Sequence, residues 1–354
     1  MKNRIRKYVS LIIALFMLII PISMTSCSET PEYLDFDYFE MDTYIKIRLA
    51  TSAGKLGYLD EDYLKSVADT CDKKLKELDK VLSCHNPSSQ LYSLNSDVKL
   101  MLGVNDDLLT TLETAEKLRE MTGGAYDYTL GTLTELWNVT GGGPVPSYDD
   151  IKGAMSHTGA DKFVMNSSTV TKTDSLAKID LGGIGKGMAT QMLLEYLDTT
   201  DVEYGIISLG GNIGVYGTKP EYGTYKIGVR DPDDPSGVIG YMFISSGFVS
   251  VSGDYERYFE ENGVRYHHIL DPETGSPANS GVRSVAVHSD NGASADALST
   301  ALFVLGPEKS MELYSEGSLK FEAIFTLDDG TIVTTPGITE DNFMLTSENY
   351  KLSK

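Results

Sequence analysis

Cysteine is scarce in this chain, with 3 among 354 residues. Beyond Cys27, only Cys71 and Cys84 remain, one inside and one just after a helix-like segment at 61–82. A helical path between them would span about 20 Å, whereas a disulfide needs Cα atoms within about 7 Å of each other. We therefore expect two free thiols. This excludes a small disulfide-supported scaffold, and a chain of this length can form a large core without one.

Basic side chains are also in deficit, with 30 Lys and Arg against 51 Asp and Glu, and the formal net charge is −21. Such a surface repels nucleic acid and anionic lipid, so we expect no nucleic acid among the partners. An anionic substrate would need local positive charge, from a metal ion or from helix ends, to bind against this field. The alternative interpretation is an acidic surface that serves solubility alone.

The apolar run near the N-terminus, Leu11–Ile20, is too short for a membrane-spanning helix of about 20 residues. Four basic residues precede it, and Met24-Thr25-Ser26-Cys27 follows it. This pattern resembles a bacterial lipoprotein signal, with residues 1–26 removed and lipid attached to the Cys27 thiol. A second interpretation is an ordinary secretory signal in which Cys27 is incidental. Either signal predicts an extracytoplasmic protein, and the first predicts one anchored to the cell membrane by lipid.

The rest of the chain mixes strand-like and helix-like segments without a regular strand–helix–strand alternation, which favours an α+β fold. Alternating polar and apolar residues predict a strand at 41–49, and 162–170 and 176–181 read as a hairpin. The acidic, proline-containing residues 27–38 are predicted to form a tether. Apolar stripes of helical period predict helices at 61–82, 106–121, 188–197 and 295–305.

A glycine-rich segment, Asp180–Gly187, joins a predicted strand to a predicted helix. Glycines let the backbone approach a ligand closely, and the helix that follows presents the positive end of its dipole, which suits a phosphate. The spacing matches neither the P-loop nor the dinucleotide fingerprint. A tight turn without a ligand therefore remains the alternative.

Two oxygen-bearing side chains, Asp296 and Thr300, lie four residues apart at the start of a predicted helix and so share a face. Oxygen-only sets favour Mg²⁺ or Ca²⁺, and two protein oxygens together with a pyrophosphate and water would suit Mg²⁺. The alternative is an aspartate that stabilises the helix dipole and a packed threonine. Before them come His267 and His268, either of which can accept a proton near neutral pH.

Seven segments in order resemble the FAD:protein FMN transferase family, also called ApbE proteins, from about Phe39 to Gly306. They are FEMDTYIKI around Met41, GGAYDYT at 123–129, DLGGIGKG at 180–187, SLGGNIGVYG at 208–217, SGDYER at 252–257, HILDPETGSP at 268–277 and ADALSTALFVLG at 295–306. The resemblance implies a mixed and antiparallel β-sheet core flanked by helices, in a two-lobed catalytic domain covering 39–350.

The resemblance also implies the reaction. Members of the family cleave the pyrophosphate of FAD and attach FMN through a phosphoester to a Thr or Ser hydroxyl of an acceptor protein, releasing AMP. The implied acceptor carries an FMN-binding domain and belongs to an ion-translocating or extracellular electron-transfer system. Two other functions remain open from the residues, a pyrophosphatase that yields FMN and AMP, and a lipoprotein that binds flavin without catalysis.

The family's site residues map onto this chain by motif. Asp296, Thr300 and the carbonyl of Gly183 are implied as Mg²⁺ ligands, and His268 as the catalytic base. His85 stands where the family often has a tyrosine, which implies a smaller stacking surface for FAD; if the alignment is one residue off, His85 is a plain loop residue. The implied contacts with FAD are Met41, His85, Ala125, Tyr126, Asp127, Asp180, Lys186 and Ile269.

Overall fold

The computed structural model describes residues 32–51, 61–96, 101–219 and 223–353. The helices are α1 (Glu61–Leu82), α2 (Gln90–Ser96), α3 (Asp106–Met121), α4 (Gly131–Trp137), α5 (Tyr148–Met155), α6 (Gly185–Leu197) and α7 (Gly292–Glu316). The strands are β1 (Glu32–Glu40), β2 (Thr43–Thr51), β3 (Met101–Gly103), β4 (Phe163–Asn166), β5 (Thr169–Lys172), β6 (Tyr204–Leu209), β7 (Asn212–Tyr216), β8 (Tyr225–Arg230), β9 (Val238–Ile244), β10 (Gly247–Gly253), β11 (Tyr258–Glu261), β12 (Val264–His267), β13 (Val282–Ser289), β14 (Glu322–Leu327), β15 (Thr331–Thr334), β16 (Phe343–Leu345) and β17 (Lys351–Leu352).

A nine-stranded sheet runs through the molecule in the order β1-β2-β6-β7-β10-β13-β14-β15-β17. Neighbouring strands are antiparallel except β15 and β17, which are parallel. Side chains of a strand alternate between the two faces, so each face can bury its own apolar set. On β13, Val285 and Val287 belong to one buried cluster, and Ala286 between them belongs to another.

Helices cover one face of this sheet, and a second sheet covers the other. The helical side buries residues of α1, α3, α6 and α7 against β2, β6, β13 and β14. On the opposite face, the three-stranded sheet β16-β9-β8 packs its apolar residues against the alternate residues of the same strands. The predicted α+β class, a mixed and antiparallel sheet flanked by helices, is confirmed.

A smaller apolar cluster lies beside the chain that leads to the two adjacent histidines. It joins α4, α5 and the chain just after β12 through Leu133, Ala154 and Leu270, and Tyr266 of β12 packs against it. The Trp137 indole N–H donates to the carbonyl of Gly275 at 2.7 Å. This cluster fixes the position of the segment just after β12.

The tether predicted for residues 27–38 is corrected over its described part. Residues 32–40 form β1, which pairs with β2 from Glu32 opposite Thr51 to Glu40 opposite Thr43. Leu34, Phe36 and Tyr38 pack against the core. The alternate aspartates face Lys46 and Arg48, so the acidic content that suggested a linker is one face of a strand.

The hairpin predicted from 162–170 and 176–181 is also wrong. Its strands are β4 and β5, because the chain turns between Asn166 and Thr169, inside the first predicted strand. Residues 176–181 carry no strand and lead into the glycine turn.

The predicted helices are confirmed, with two of them longer than expected. The helix predicted at 188–197 begins at Gly185, and that predicted at 295–305 runs from Gly292 to Glu316 across a kink at Gly306. Cys71 and Cys84 are free, as expected. No helix within the described ranges has the length and apolarity to cross a membrane. The predicted signal at 1–26 and Cys27 lie outside the described residues.

Candidate functional site

The glycine turn and the predicted metal helix meet in the structure. The backbone N–H of Gly187, in the first turn of α6, donates to Oδ2 of Asp296 on α7 at 2.8 Å, across 109 residues of sequence. This approach needs glycine, because a Cβ on Gly187 would lie 2.1 Å from the Gly292 carbonyl oxygen and 2.7 Å from Asp296 Cβ. The glycines of α6 and α7 therefore allow the helix ends to touch.

Asp296 is buried, 3% exposed, and its carboxylate is held from several sides. Oδ1 accepts from Asn212 Nδ2 at 3.1 Å and from the Ser250 hydroxyl at 3.3 Å. The Lys186 ammonium lies 3.8 Å from the same oxygen and donates to the Gly182 carbonyl at 2.9 Å. A buried carboxylate with these partners has a fixed orientation, because each donor would lose its acceptor if the carboxylate rotated.

Thr300 lies one turn further along α7, against the glycine turn. A Cβ on Gly183 would lie 3.1 Å from Thr300 Oγ1 and 3.2 Å from Tyr126 Cε2, so the turn packs closely against both side chains. The N-cap position of α6 is Ile184, which provides no side-chain hydrogen bond to the first turn of the helix. Asp180 Oδ1 accepts from Gly182 N at 2.8 Å and closes the turn.

The three predicted Mg²⁺ ligands thus come from two elements that contact each other. Their oxygens are one carboxylate, one hydroxyl and one backbone carbonyl, which is the chemistry of a hard cation. Across the described part of the chain, no group of three or more His, Cys, Asp or Glu is placed to hold a metal ion. With a single carboxylate, this set fits a cation that takes its remaining ligands from a phosphate and from water.

The two histidines differ in what their ring nitrogens do. His267 is buried, and its Nε2 lies 3.0 Å from the Ala278 carbonyl, while Nδ1 accepts from Ile269 N at 3.3 Å. Since a carbonyl only accepts, Nε2 carries the proton, and both nitrogens are used within the fold. His268 is half-buried, with Nδ1 at 3.2 Å from the Arg257 carbonyl. By the same argument Nδ1 is protonated, and Nε2 keeps its lone pair.

The surroundings of His268 keep its imidazole neutral. Burial, followed by the positive charge of Arg257, lowers the pKa of His268 to about 4, and Lys186 adds to the same effect. The ring therefore carries a free lone pair throughout the neutral range.

Met41 lies at the tip of the β1–β2 hairpin. Met41 and Asp42 have φ angles of 52° and 55°, a conformation usual for Gly or Asn in a two-residue hairpin. The Met41 Cε lies 3.9 Å from where a Cβ on Gly185 would be. Two adjacent residues held in this conformation are unfavourable, and such strain is concentrated at functional sites.

The remaining predicted FAD contacts are distributed around the turn. Ala125 and Tyr126 are buried in the segment after α3; Asp127 is half-buried, accepts from Thr129 N and Oγ1, and has its pKa raised by burial. Ile269 is buried, and its backbone N–H and carbonyl are both bonded within the protein. His85 is exposed in the loop after α1.

The residues that support Asp296 are not indicated by any sequence motif. Asn212 opens β7, and Ser250 and Ser252 alternate along β10, so that both face α7. Ser299 on α7 is within 3.2 Å and 2.8 Å of the Ser250 and Ser252 hydroxyls, and donates to the Asp296 carbonyl at 2.8 Å. The alternate spacing of Ser250 and Ser252 could have indicated that both lie on one face of a strand. Nothing in the sequence indicated that their partner would be Ser299 on a distant helix.

Known proteins resemble this chain over most of its length. The ApbE family model matches residues 41–325. The FAD:protein FMN transferase of Treponema pallidum (strain Nichols) is 34% identical over 289 residues, covering 75% of this chain and 78% of that protein. That of Vibrio cholerae is 30% identical over 274 residues, covering 75% and 81%.

The fold shows the same likeness. The crystal structure of the ApbE protein of Thermotoga maritima superposes with a TM-score of 0.77 at 32% identity, covering 85% of this chain and 96% of that one. The flavin transferase ApbE of Vibrio cholerae gives a TM-score of 0.73 at 26% identity, covering 90% and 98%.

Proposed function

The chain belongs to the ApbE family and is a transferase of the FAD:protein FMN transferase kind, and from this premise we propose the chemistry of its site. The FMN half of FAD is transferred to a Thr or Ser hydroxyl of an acceptor protein, with Mg²⁺ required and AMP released. The new P–O bond joins the acceptor oxygen to the FMN phosphorus, and the bond from that phosphorus to the AMP phosphate breaks.

The observation that carries this proposal is the contact of the glycine turn with the Asp296–Thr300 face of α7. Phosphoryl transfer depends on positioning and charge neutralisation more than on covalent help from the enzyme. Mg²⁺, when bound, would be held by Asp296, Thr300 and the Gly183 carbonyl and would offset negative charge on the pyrophosphate. The dipole at the start of α6 and the Lys186 ammonium add positive potential at the same place.

His268 serves as the base in this proposal. Its Nε2 lone pair takes the proton of the acceptor hydroxyl as the new P–O bond forms. The lowered pKa means that the lone pair is always available near neutral pH, although it also makes the ring a weaker base. His267 is a structural residue, because both of its ring nitrogens are bonded inside the fold.

The experiment is an analysis of nucleotide products from FAD and Mg²⁺, with and without an acceptor protein carrying an FMN-binding domain. The proposed reaction yields AMP and a fluorescent, covalently flavinylated acceptor, and only when the acceptor is present. Equal yields of free FMN and AMP without acceptor would instead establish a pyrophosphatase. Intact FAD in both samples would establish flavin binding without catalysis.

We also propose that the enzyme works outside the cytoplasm, anchored by lipid on Cys27. The support is sequence evidence alone, the basic head, the apolar run and the Ser26-Cys27 junction. Expressed as the full chain in a bacterium, the protein should fractionate with membranes, and Cys27→Ala should leave it unprocessed or move it to the soluble extracytoplasmic fraction. An unlipidated protein that is nevertheless cleaved and exported would favour an ordinary secretory signal.

A further inference from the structure

The aromatic ring of Tyr126 packs against the glycine turn. It follows the glycine pair after α3, and its side chain is 2% exposed. Its ring edge lies close to Gly183, as does the Thr300 hydroxyl, since a Cβ on Gly183 would be 3.2 Å from Tyr126 Cε2 and 3.1 Å from Thr300 Oγ1. The ring and the Thr300 hydroxyl therefore both lie beside Gly183, which is itself a predicted Mg²⁺ ligand.

The hydroxyl of Tyr126 has no hydrogen-bond partner, although it is buried. A buried hydroxyl without a partner costs free energy, and native structures retain few of them. Burial first, and then the negative charges of Asp296, Asp180 and Asp127, raise the pKa of Tyr126 well above 10.0, so the group stays a neutral phenol. The Tyr126 hydroxyl is therefore a hydrogen-bond donor that lies in the electrostatic field of three carboxylates and is bonded to none of them.

We propose that the Tyr126 hydroxyl donates a hydrogen bond to an oxygen that the bound substrate brings to the glycine turn, either a phosphate oxygen of FAD or a water molecule on its metal ion. This rests on the proposed function and extends it, because it assigns to one phenol oxygen a contact that acts on the pyrophosphate region and not on the flavin ring. The hydroxyl costs stability in the free protein and gains its partner only in the complex.

The distinguishing prediction is that removing the hydroxyl weakens FAD binding without lowering the stability of the free protein. Tyr126→Phe keeps the ring and its packing and deletes one oxygen. The free variant should unfold at the same temperature as the wild type or at a higher one, since no protein hydrogen bond is lost. Its Kd for FAD should rise about 10- to 100-fold, which is the range for a lost hydrogen bond to a charged or strongly polarised oxygen.

Tyr225→Phe is the matched control. Tyr225 is equally buried, 1% exposed, but its hydroxyl donates to the Tyr216 carbonyl at 2.5 Å and lies in the other apolar cluster. Its loss should lower the unfolding temperature and leave the Kd for FAD unchanged. The two variants together separate a ligand-directed hydroxyl from a structural one.

The binding assay uses full mature protein with FAD, FMN and riboflavin, each with Mg²⁺ and with a chelator. Riboflavin has no phosphate and should bind both proteins equally. A weaker affinity of Tyr126→Phe for FAD in the presence of the chelator identifies the phosphate oxygen as the acceptor, whereas a difference seen only with Mg²⁺ identifies the metal-bound water. Equal affinities of the two proteins for FAD under both conditions would overturn the inference, and a wild type that binds no FAD would overturn the proposed function instead.

Discussion

At the scale of single residues, the two neighbouring histidines show how hydrogen bonds divide similar side chains into different roles. His267 uses both ring nitrogens inside the protein and packs edge-on against Phe303. His268 uses only Nδ1, and its Nε2 is the nitrogen left for a substrate. In the proposed reaction only one of the pair can therefore be the base.

His268 also makes a pH prediction. In the unfolded chain an imidazole takes up a proton as pH falls through about 6.5, whereas in the fold the pKa of His268 is about 4. Between these two pKa values the unfolded chain binds the proton and the folded protein does not, so protonation favours unfolding. The contribution of neutral His268 to the free energy of unfolding is therefore complete above about pH 6.5 and is lost as pH falls toward 4. His268→Gln should show a smaller fall in Tm over this window, measured by circular dichroism at constant ionic strength.

The same variant should lower the rate of FMN transfer by about 100-fold or more, the usual effect of losing a general base, while still binding FAD. If Tm falls equally in both proteins between pH 6.5 and 4, the neutral state of His268 is wrongly assigned.

The metal ligands make a second residue-scale prediction. Thr300→Val keeps the shape of the side chain and removes one oxygen, so it should raise the Mg²⁺ concentration needed for half-maximal transfer without changing the free energy of unfolding by more than about 1 kcal/mol.

Asp296→Ala should abolish transfer and also destabilise the fold by about 2–3 kcal/mol, because Gly187 N–H, Asn212 and Ser250 lose their common acceptor. Urea unfolding and a Mg²⁺ titration of the rate measure both effects, and full activity of Asp296→Ala would end the metal assignment.

At the scale of elements, the site depends on two helix ends that pack without side chains between them. The start of α6 lies on the start of α7 through Gly187 and Gly292, and the kink at Gly306, followed by Pro307, divides α7 well beyond Thr300. The strands β7 and β10 supply Asn212 and the serines from beneath. The carboxylate of Asp296 is thus positioned by two helices and two strands at once.

Gly187→Ala tests this packing. The methyl group of the introduced alanine would overlap the Gly292 carbonyl and Asp296 Cβ. We therefore expect the free energy of unfolding to fall by about 1–3 kcal/mol and Mg²⁺ to bind more weakly. Gly153→Ala is the control, because Gly153 lies exposed in α5 and a Cβ there meets nothing within 4 Å. That change should be neutral or stabilising by about 0.5–1 kcal/mol. Unfolding curves that place both variants alike would contradict the close contact of α6 with α7.

At the scale of the whole molecule, the opposing factors are the acidic surface and an anionic substrate. A net charge of −21 repels FAD at a distance, while Lys186 and the start of α6 attract it at short range. Exposed charges are screened beyond about 8 Å at 0.15 M salt, whereas contacts inside the site are screened much less.

Ionic strength should therefore affect association more than chemistry. We expect kcat/KM for FAD to rise a few-fold between about 10 mM and 150 mM KCl with kcat nearly constant, because salt removes the long-range repulsion. Riboflavin, which carries no phosphate, should bind with the same Kd at both salt concentrations. A fall of kcat/KM with salt would show that the local positive charge outweighs the overall field.

Much of this protein follows from its sequence, because helix periodicity and short motifs are properties of neighbouring residues. Apolar periodicity predicted the main helices and the α+β class, and seven ordered motifs predicted the family. Local patterns gave wrong predictions where the structure depends on the pairing of strands. The aspartates of β1 suggested a tether, whereas the segment forms a strand because it pairs with β2. The turn after Asn166 divided a run that looked like one strand.

The tertiary structure alone decided how the site is assembled. A sequence cannot show that Gly187 lies on Asp296 across 109 residues, that Asn212 and the serines hold that carboxylate, or that the Tyr126 hydroxyl has no partner. Each is a contact between distant segments, set by how sheet and helices pack and not by neighbouring residues. The choice between His267 and His268 is of the same kind, because it depends on which carbonyls the fold brings to each ring.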